Sequence, residues 1–513
     1  MTTSTSPGTP RHGADAYRLD TRGPNALDPG RLQPLPGAPA STSADPLDFP
    51  HYRDKLAAAA TDSGADESLT TGTVRLGGGE VVVAIGRFGF MGGSMGLVHG
   101  DRVAHAMAYA REHHLPFLAV ISSGGARMQE GMVALHQMSR AAEGVRALRE
   151  AGLPVLAHFR HPTTGGVHAS YGALADVIVA DAGATVGFAG PRVVAAVSGH
   201  EPGPESHTAE AALAGGLVDE VVADDAIGAL DAWVALVHPA LRDGPLPVDS
   251  LPPQPEHALP AWEATTRARA RERPTARNVL ASVFDDHREL HGDRAGDDDP
   301  VAIVAVARLG GRRVMVLGTD RSARGEGPER LTGQATAAGY RKLTRGAQLA
   351  ARWGLPLVTL IDTVGADPTP ASDRSGLARA VGETFVATLE VAAPTIAIVV
   401  GEGGSGGALA LGCTDRLLIQ DDAVFEVIAP EGAAAILHRD RGRAEDVAPL
   451  LRPTAHELRD LALADRVLPG PTTTSAATAN ASIRAAIATT LTELDGTPDR
   501  LAARRDRYGP TSS

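Results

Sequence analysis

The chain has 513 residues, a net charge of −13 and a pI near 5.8: long enough for two or three domains, and too acidic for a nucleic-acid polyanion to be its main ligand. A single cysteine, Cys413, excludes a disulfide framework and a thiolate zinc site. The first residues lack the apolar stretch of a signal peptide and no run approaches the roughly 18 apolar residues of a membrane span, so the expected location is cytoplasmic.

Residues 1–45 are rich in Pro, Gly, Ser and Thr without periodic apolar positions, and are expected to be a disordered tail. A first globular unit is expected over 46–240. A Pro-rich linker follows over 241–264, carried by "RDGPLPVDSLPPQPEHALP", then a second unit over 265–500 and a tail over 501–513. Inside each unit an Ala-rich helical stretch ends at Leu-Pro or Ala-Pro, a short β-branched run follows, and a Gly turn opens another helix, at Pro116, Pro154, Pro356 and Pro394. Proline closes the helix and the continuous apolar run suits a strand buried on both faces, so each unit is expected to be an α/β layered domain on a mainly parallel sheet.

The two units match in order. "RLGGGEVVVAIG" answers "RLGGRRVMVLG", "LPFLAVISSGGA" answers "LPLVTLIDTVGA", "GLVDEVV" answers "ALADRVL", and "TTGGVHASYGALAD" answers "GSGGALALGCTD" with Gly165-Gly166 set against Gly406-Gly407. Ordered matches at a slowly drifting offset indicate a duplicated domain.

Each unit has two strand-to-helix Gly turns: Gly124-Gly125 with Gly165-Gly166, and Gly365 with Gly406-Gly407. One such turn is most often only a tight connection. Two per unit point to chemistry, because a side-chain-free turn at a helix start leaves amide N–H groups and the positive dipole end facing whatever binds, which suits an oxyanion. The dinucleotide and P-loop patterns are absent. Among side chains, Arg127 is either a phosphate contact or an exposed helix-start residue. Glu130 lacks the second carboxylate a hydratase would need. His161 and His168 read as surface or capping groups. "HGDRAGDDD" suggests a metal but more simply a solvated loop, and Arg341 with Lys342 suit the solvated face of a helix.

"FGFMGGSMGLVHGDR", "SSGGARMQEGM", "HPTTGGVHASYGALAD" and "VGFAGPRV" resemble the carboxyltransferase β subunit of bacterial acetyl-CoA carboxylase. "ELHGDRAGDDDPVAIVAVARLGGRRVMVLG", "GYRK", "GEGGSGGALALG" and "VIAPEG" resemble the α subunit, so the chain reads as a β-α fusion over residues 48 to about 470. The resemblance implies two tandem ClpP/crotonase-like domains of duplicated β-β-α superhelix units. It also implies transfer of a carboxyl group from carboxybiotin to acetyl-CoA or a related acyl-CoA, giving malonyl-CoA for fatty acid biosynthesis. By that resemblance the amides at Gly165 and Gly166 form the oxyanion hole for the thioester, and those at Gly406 and Gly407 the hole for the biotin ureido oxygen. Gly124, Gly125, Ala126, Arg127, Gly365, Ala366 and Ala408 are expected to bind substrate.

The expected partners are a biotin carboxylase, a separate biotin carboxyl carrier protein and acyl-CoA, with no metal and no covalently held cofactor. Neither Lys55 nor Lys342, the two lysines of the chain, sits in a biotin-attachment context. A homodimer or larger even assembly is expected, the N-half of one copy against the C-half of the other. Two features depart from the family. The β subunit's four-cysteine zinc ribbon cannot be built with one cysteine, and "DTVGADPT" places Val364, Asp367 and Thr369 where the α subunit has Pro, Tyr and Gly. A biotin-independent malonate or acyl-CoA decarboxylase component and a non-catalytic regulatory paralogue are the competing readings.

Overall fold

The computed structural model describes residue 27 and residues 32–39, 45–200, 202–203, 205–241, 243–247, 250–325 and 331–509. Most of the predicted N-terminal tail lies outside these. Where it is described, Gln33–Pro34 pairs antiparallel with Gly72 and Thr73, and Leu32 and Leu35 are buried. This short stretch is therefore an edge strand and not a disordered tail, seated where Gly72 lacks a side chain that would overlap Leu32.

Each half is built on one sheet with the same path. In the N-half an antiparallel hairpin, Leu69–Leu76 with Gly79–Gly86, leads into parallel strands Phe117–Ser123, Val155–Thr164, Val177–Asp181 and Glu220–Val222. In the C-half the hairpin Ala302–Leu309 with Arg312–Thr319 leads into Leu357–Thr363, Thr395–Gly404, Arg416–Gln420 and Arg466–Leu468. The four runs expected after proline are the four central strands, and Phe117–Ser123 and Leu357–Thr363 are buried at every residue. A register shift recurs at one place in both sheets, between Ile121 and Ser123 and between Ile361 and Thr363, just before the first Gly turn.

Helices Leu97–Glu112 and Gly131–Glu150 cover one face of the N-terminal sheet. Its other face shares a core with the C-half, in which Leu76, Val83 and Trp233 of the N-half join Val304, Leu317 and Leu343 of the C-half. Helices Ala276–Val283 and Ala476–Asp495 close the far face of the C-terminal sheet. Arginines reinforce the junction between halves: Arg294 and Arg345 grip the buried Asp219, and Arg313 donates to Asp243 (2.7 Å) and to the His238 carbonyl (2.7 Å).

Two further expectations are corrected. The last nine described positions before Gly509 are not a tail: Arg500–Tyr508 is a helix, because Arg504, with a fully buried side chain, pairs with the buried Asp415. The linker ends earlier than expected, since Ala261–Ala268 is already a helix of the second unit, packing Ala264 and Ala268 on Val424.

Candidate active site

In the N-half the strand Phe117–Ser123 ends in the first Gly turn. Ser123 Oγ accepts the Gly125 N–H (3.0 Å), Gly125 lies at φ 118°, and the Gly125 carbonyl and the Arg127 N–H pair with Met95 (2.8 and 2.9 Å). In a parallel pairing the residue between two bonded groups points its amide away, so the Ala126 N–H faces out of the ladder. The second turn lies against the first. A Cβ on Gly165 would fall 2.6 Å from Gly125 Cα, and Gly165 has φ 70°, so two reasons require glycine there. The Gly165 N–H is taken by the Phe188 carbonyl (2.8 Å). The Gly166 N–H, at the start of a helix, has no intrahelical partner; a Cβ built on Gly166 would meet the Met138 side chain first (3.0 Å) and lie 3.7 Å from the Ala126 N. The Ala126 and Gly166 backbones thus lie side by side at the end of the sheet.

The C-half repeats this at its first turn. Thr363 Oγ1 accepts the Gly365 N–H (3.0 Å), Gly365 lies at φ 134°, Gln334–Ala335 pairs with Gly365–Ala366, and the Asp367 N–H donates to Ala335 (2.9 Å). The altered "DTVGADPT" segment therefore keeps the turn. Val364 stands at the exposed position held by Gly124, and the buried Asp367 accepts the Thr369 N–H (2.9 Å) beneath the turn.

At the second turn the register differs from the sequence match. Thr163 pairs with Ser123, and Gly403 pairs with Thr363. Gly165 (φ 70°) is then equivalent to Ser405 (φ 59°), and Gly166 to Gly406, one residue before the Gly406-Gly407 alignment. The extra residue in the N-half is absorbed by a π-helical turn, His168–Gly172, whereas Ser405–Gly412 stays α-helical. Gly406 faces open space, with nothing within 4 Å of a Cβ built there. Gly407 has another role. A Cβ there would fall 2.8 Å from the Ala366 N and overlap the hydroxyl of Tyr340, a fully buried residue of the helix Ala337–Trp353. Ala408 is buried in the core, which removes it from the substrate-binding set.

Arg127 is neither a phosphate contact nor an exposed residue. It is 1 % exposed and held by Glu67, Glu130 (3.3 Å), the Tyr52 hydroxyl (3.3 Å) and the Ser94 carbonyl (2.7 Å). Glu130 accepts the Leu97 N–H (2.6 Å) and the Tyr52 hydroxyl (2.5 Å), anchoring the start of the helix Leu97–Glu112. Ser68 extends the network: its Oγ accepts from Arg127 (3.0 Å) and lies 2.8 Å from His99 Nδ1, while His99 Nε2 lies 3.1 Å from the Tyr171 hydroxyl in the π-helical turn. Burial lowers His99 to about 3, with the Arg127 and Arg102 charges acting in the same direction, so it is neutral. This network joins the first turn to the helix after the second, and sequence alone gave only its Arg and Glu, with their burial unreadable.

His161 accepts the Thr185 N–H (3.2 Å), and His168, depressed by burial, lines a cavity of about 580 Å³ with Phe159, Phe188 and His207. "HGDRAGDDD" is a clasp and not a solvated loop: Asp293 binds Arg341 (2.6 Å), Asp298 binds Lys342 (2.7 Å) and His291 (2.8 Å), and Asp299 accepts the Thr336 N–H (2.7 Å) at the start of Ala337–Trp353. Lys342, 1 % exposed, is not on a solvated face. No group of three metal-ligating side chains occurs among the described residues, and no helix there is long and apolar enough to cross a membrane.

Near the C-half turn, Glu402 takes two bonds from Arg269 (2.6 and 3.0 Å). Both Glu426 oxygens are buried without a hydrogen-bond partner. Burial, then the neighbouring Glu402 charge, push Glu426 up to about 8. Asp362, just before the first C-half turn, is pushed up by burial to about 7.

Two stacked α/β domains, each carrying a pair of strand-to-helix Gly turns at one end of a mainly parallel sheet, form the candidate site. The family described as "Acetyl co-enzyme A carboxylase carboxyltransferase-like" matches residues 253–510. The acetyl-coenzyme A carboxylase carboxyl transferase subunits beta/alpha of Salinispora tropica are 41% identical over 460 residues, covering 87% of this chain and 81% of that one. A probable biotin-dependent acyl-coenzyme A carboxylase beta3 subunit of Mycobacterium tuberculosis is 36% identical over 439 residues, covering 84% and 86%. The chain belongs to the acetyl-CoA carboxylase carboxyltransferase family, in its fused β/α form. The transcarboxylase 12S structure, a hexamer with methylmalonyl-coenzyme A bound, shares the fold at TM-score 0.69 and 24% identity, covering 84% of this chain and 83% of that one.

Proposed function

We propose that the chain transfers a carboxyl group from carboxybiotin, borne on a separate carrier protein, to acetyl-CoA or a close homologue. In this reading Ala126 and Gly166 donate to the thioester oxygen, and Ala366 and Gly406 to the ureido oxygen of biotin. Gly165 and Gly407 keep the two turns close enough to do so. The N–CO₂ bond of carboxybiotin breaks and leaves negative charge on the ureido group, which the C-half amides hold. That group takes the α proton of the acyl-CoA, the N-half amides hold the resulting enolate oxygen, and the α carbon attacks the released CO₂. Charge is thus passed between two preorganised holes, each donor worth roughly 3–4 kcal/mol. No side-chain base is required, in keeping with an N-half turn whose Arg127, Glu130 and His99 are committed to structural bonds. The observation that carries this reading is the repeated first turn, Ser123–Ala126 and Thr363–Ala366, in a chain whose family acts on such substrates.

The two halves of one site come from two copies. Phe188, Val193 and Val197, on and before the helix Pro191–Ser198, are exposed, and so are Val427, Ile436 and Leu437, on and before the equivalent helix Pro430–His438. A two-fold pairing of N-half with C-half covers both apolar faces and brings the unlike turns together. The biotin carboxylase and the biotinylated carrier are further partners, the compartment is the cytoplasm, and the product feeds fatty acid synthesis.

The test is reverse transfer: malonyl-CoA and free biocytin should give carboxybiocytin and acetyl-CoA, with methylmalonyl-CoA as the competing donor and light scattering reporting an even assembly. Malonyl-CoA decarboxylation that is indifferent to biocytin would contradict the reading, as would an active monomer.

A further inference from the structure

Behind each turn helix sits a buried aspartate that ties the helix's far end to the strand feeding the turn. In the N-half the Asp176 N–H donates to the Val155 carbonyl (2.7 Å) and Asp176 Oδ2 accepts the Val155 N–H (3.0 Å). In the C-half Asp415 Oδ2 accepts the Thr395 N–H (2.8 Å), and the Asp415 N–H donates to Thr395 Oγ1 (2.8 Å). Both carboxylates are 2 % exposed. Val155 and Thr395 open the strands that end at Thr164 and Gly404, where the turns begin.

The arginines that neutralise the two aspartates come from different places. Asp176 is met at hydrogen-bond distance by Arg352 (2.6 Å on Oδ1), with Arg345 on its carbonyl (2.8 Å), both from the C-half helix Ala337–Trp353, while Arg149 of the N-half stands farther off at 3.7 Å. Asp415 is met by Arg504 (2.8 and 2.7 Å) and Arg500 (3.4 Å), from the C-terminal helix, whose Tyr508 hydroxyl also donates to the Gly412 and Thr414 carbonyls (both 3.2 Å). A helix of about eight residues is only about 12 Å long, so a shift at its anchored end moves the amides at the other. Removing a charge partner from a buried carboxylate leaves it uncompensated and displaces it.

We infer that Asp176 and Asp415 are positioning residues for the two holes, and that Arg352, from the C-half, sets the N-half hole while Arg504 sets the C-half hole. This rests on the two-hole reading above. The helix Ala337–Trp353 thereby serves both sites, Tyr340 backing Gly407 and Arg352 backing the helix that starts at Gly165.

The experiment is reverse transfer by the full chain with Arg352→Ala, Arg352→Lys, Arg504→Ala and Arg504→Lys. Gly166→Ala and Gly406→Ala run alongside, and kcat, the KM for malonyl-CoA, the KM for biocytin and the Tm are measured for each. Misplacement by an ångström can cost on the order of 10²-fold. The expected result is that Arg352→Ala loses about 10- to 100-fold in kcat/KM for malonyl-CoA with the biocytin KM kept, that Arg504→Ala does the reverse, and that each lysine variant recovers part of the loss. If an alanine variant does not fold, its lysine counterpart carries the same split at smaller size. Unchanged constants in folded arginine variants, or losses in both KM values that track the fall in Tm, would overturn the anchoring while the glycine variants still separate the two substrates. Failure of the glycine variants to separate them would overturn the two-hole reading and the anchoring with it.

Discussion

The first turns of the two halves share their backbone and differ in what lies under it. Ile121–Met128 and Ile361–Pro368 have the same succession of buried and exposed positions, the same serine or threonine bond to the glycine amide, and the same pairing to the strand ahead. Beneath Ala126 stands Arg127, buried among two glutamates, a tyrosine and two serines. Beneath Ala366 stands Asp367, bonded to a local amide. Duplication has kept the backbone of the first Gly turn and has let the supporting chemistry diverge. What the halves share is therefore the candidate chemistry, and what they do not share is how each is held.

The largest effect should come from breaking that support. Arg127→Met leaves Glu67 and Glu130 buried without their cation and should destabilise by about 3–5 kcal/mol in urea unfolding. Asp367→Asn, at the equivalent position, removes one charged acceptor from a local turn and should cost about 1–3 kcal/mol. Equal losses at the two positions would show that the support has not diverged.

The second turn gives an intermediate effect. Gly165→Ala forces a side chain onto Gly125 and into a left-handed conformation that alone costs about 1–2 kcal/mol. Ser405, in the same conformation, already bears this cost, so Ser405→Gly should stay within about 1 kcal/mol of neutral. Comparing Tm and reverse transfer for the two variants checks the one-residue register directly, because the sequence alignment pairs Gly165 with Gly406.

A further contrast lies in the pH response, where the halves should tilt in opposite directions. The folded N-half holds His99 far below its ordinary 6.5, so the unfolded chain binds a proton that the folded one refuses, and this contribution is lost as pH falls from 6.5 towards 3. The folded C-half holds Glu426 above its ordinary 4.5, so its contribution is present below that value and is lost as pH rises through about 8. Glu402, Arg269 and Glu431 are the charged groups around it. Hydrogen exchange across pH 5 to about 9 should show N-half protection falling on the acid side and C-half protection falling on the alkaline side. His99→Gln should flatten the first trend and Glu426→Gln the second.

Much of this architecture is legible in the sequence. Pro116, Pro154, Pro356 and Pro394 mark the four central strands to within a residue, because proline ends a helix and a short, unbroken β-branched apolar run suits a strand buried on both faces. The drifting offset between halves is also real: the hairpins begin at Leu69 and Ala302, the next strands at Phe117 and Leu357, and the last at Glu220 and Arg466. The one-residue offset at the second turn is hidden in the sequence, where Gly165-Gly166 matches Gly406-Gly407. The backbone instead places Ser405 in a glycine's conformation and takes up the difference in a π-helical turn, which has no residue signature. Arg127 and Lys342, and the C-terminal stretch that carries Arg504, differ from expectation for a common reason. A charged residue is exposed by default, and its burial depends on distant partners, Glu67, Asp298 and Asp415, that only the folded chain brings within reach.

The most direct test of two separate holes is Gly406→Ala in the malonyl-CoA and biocytin reaction, since its methyl group meets no described atom of its own chain and intrudes on what binds at the turn. A folded variant with unchanged Tm, an unchanged KM for malonyl-CoA and a loss of about 10²-fold or more in kcat/KM for biocytin is the expected result. Near-normal transfer would contradict it, reducing the C-half turn to a structural relic of the duplication.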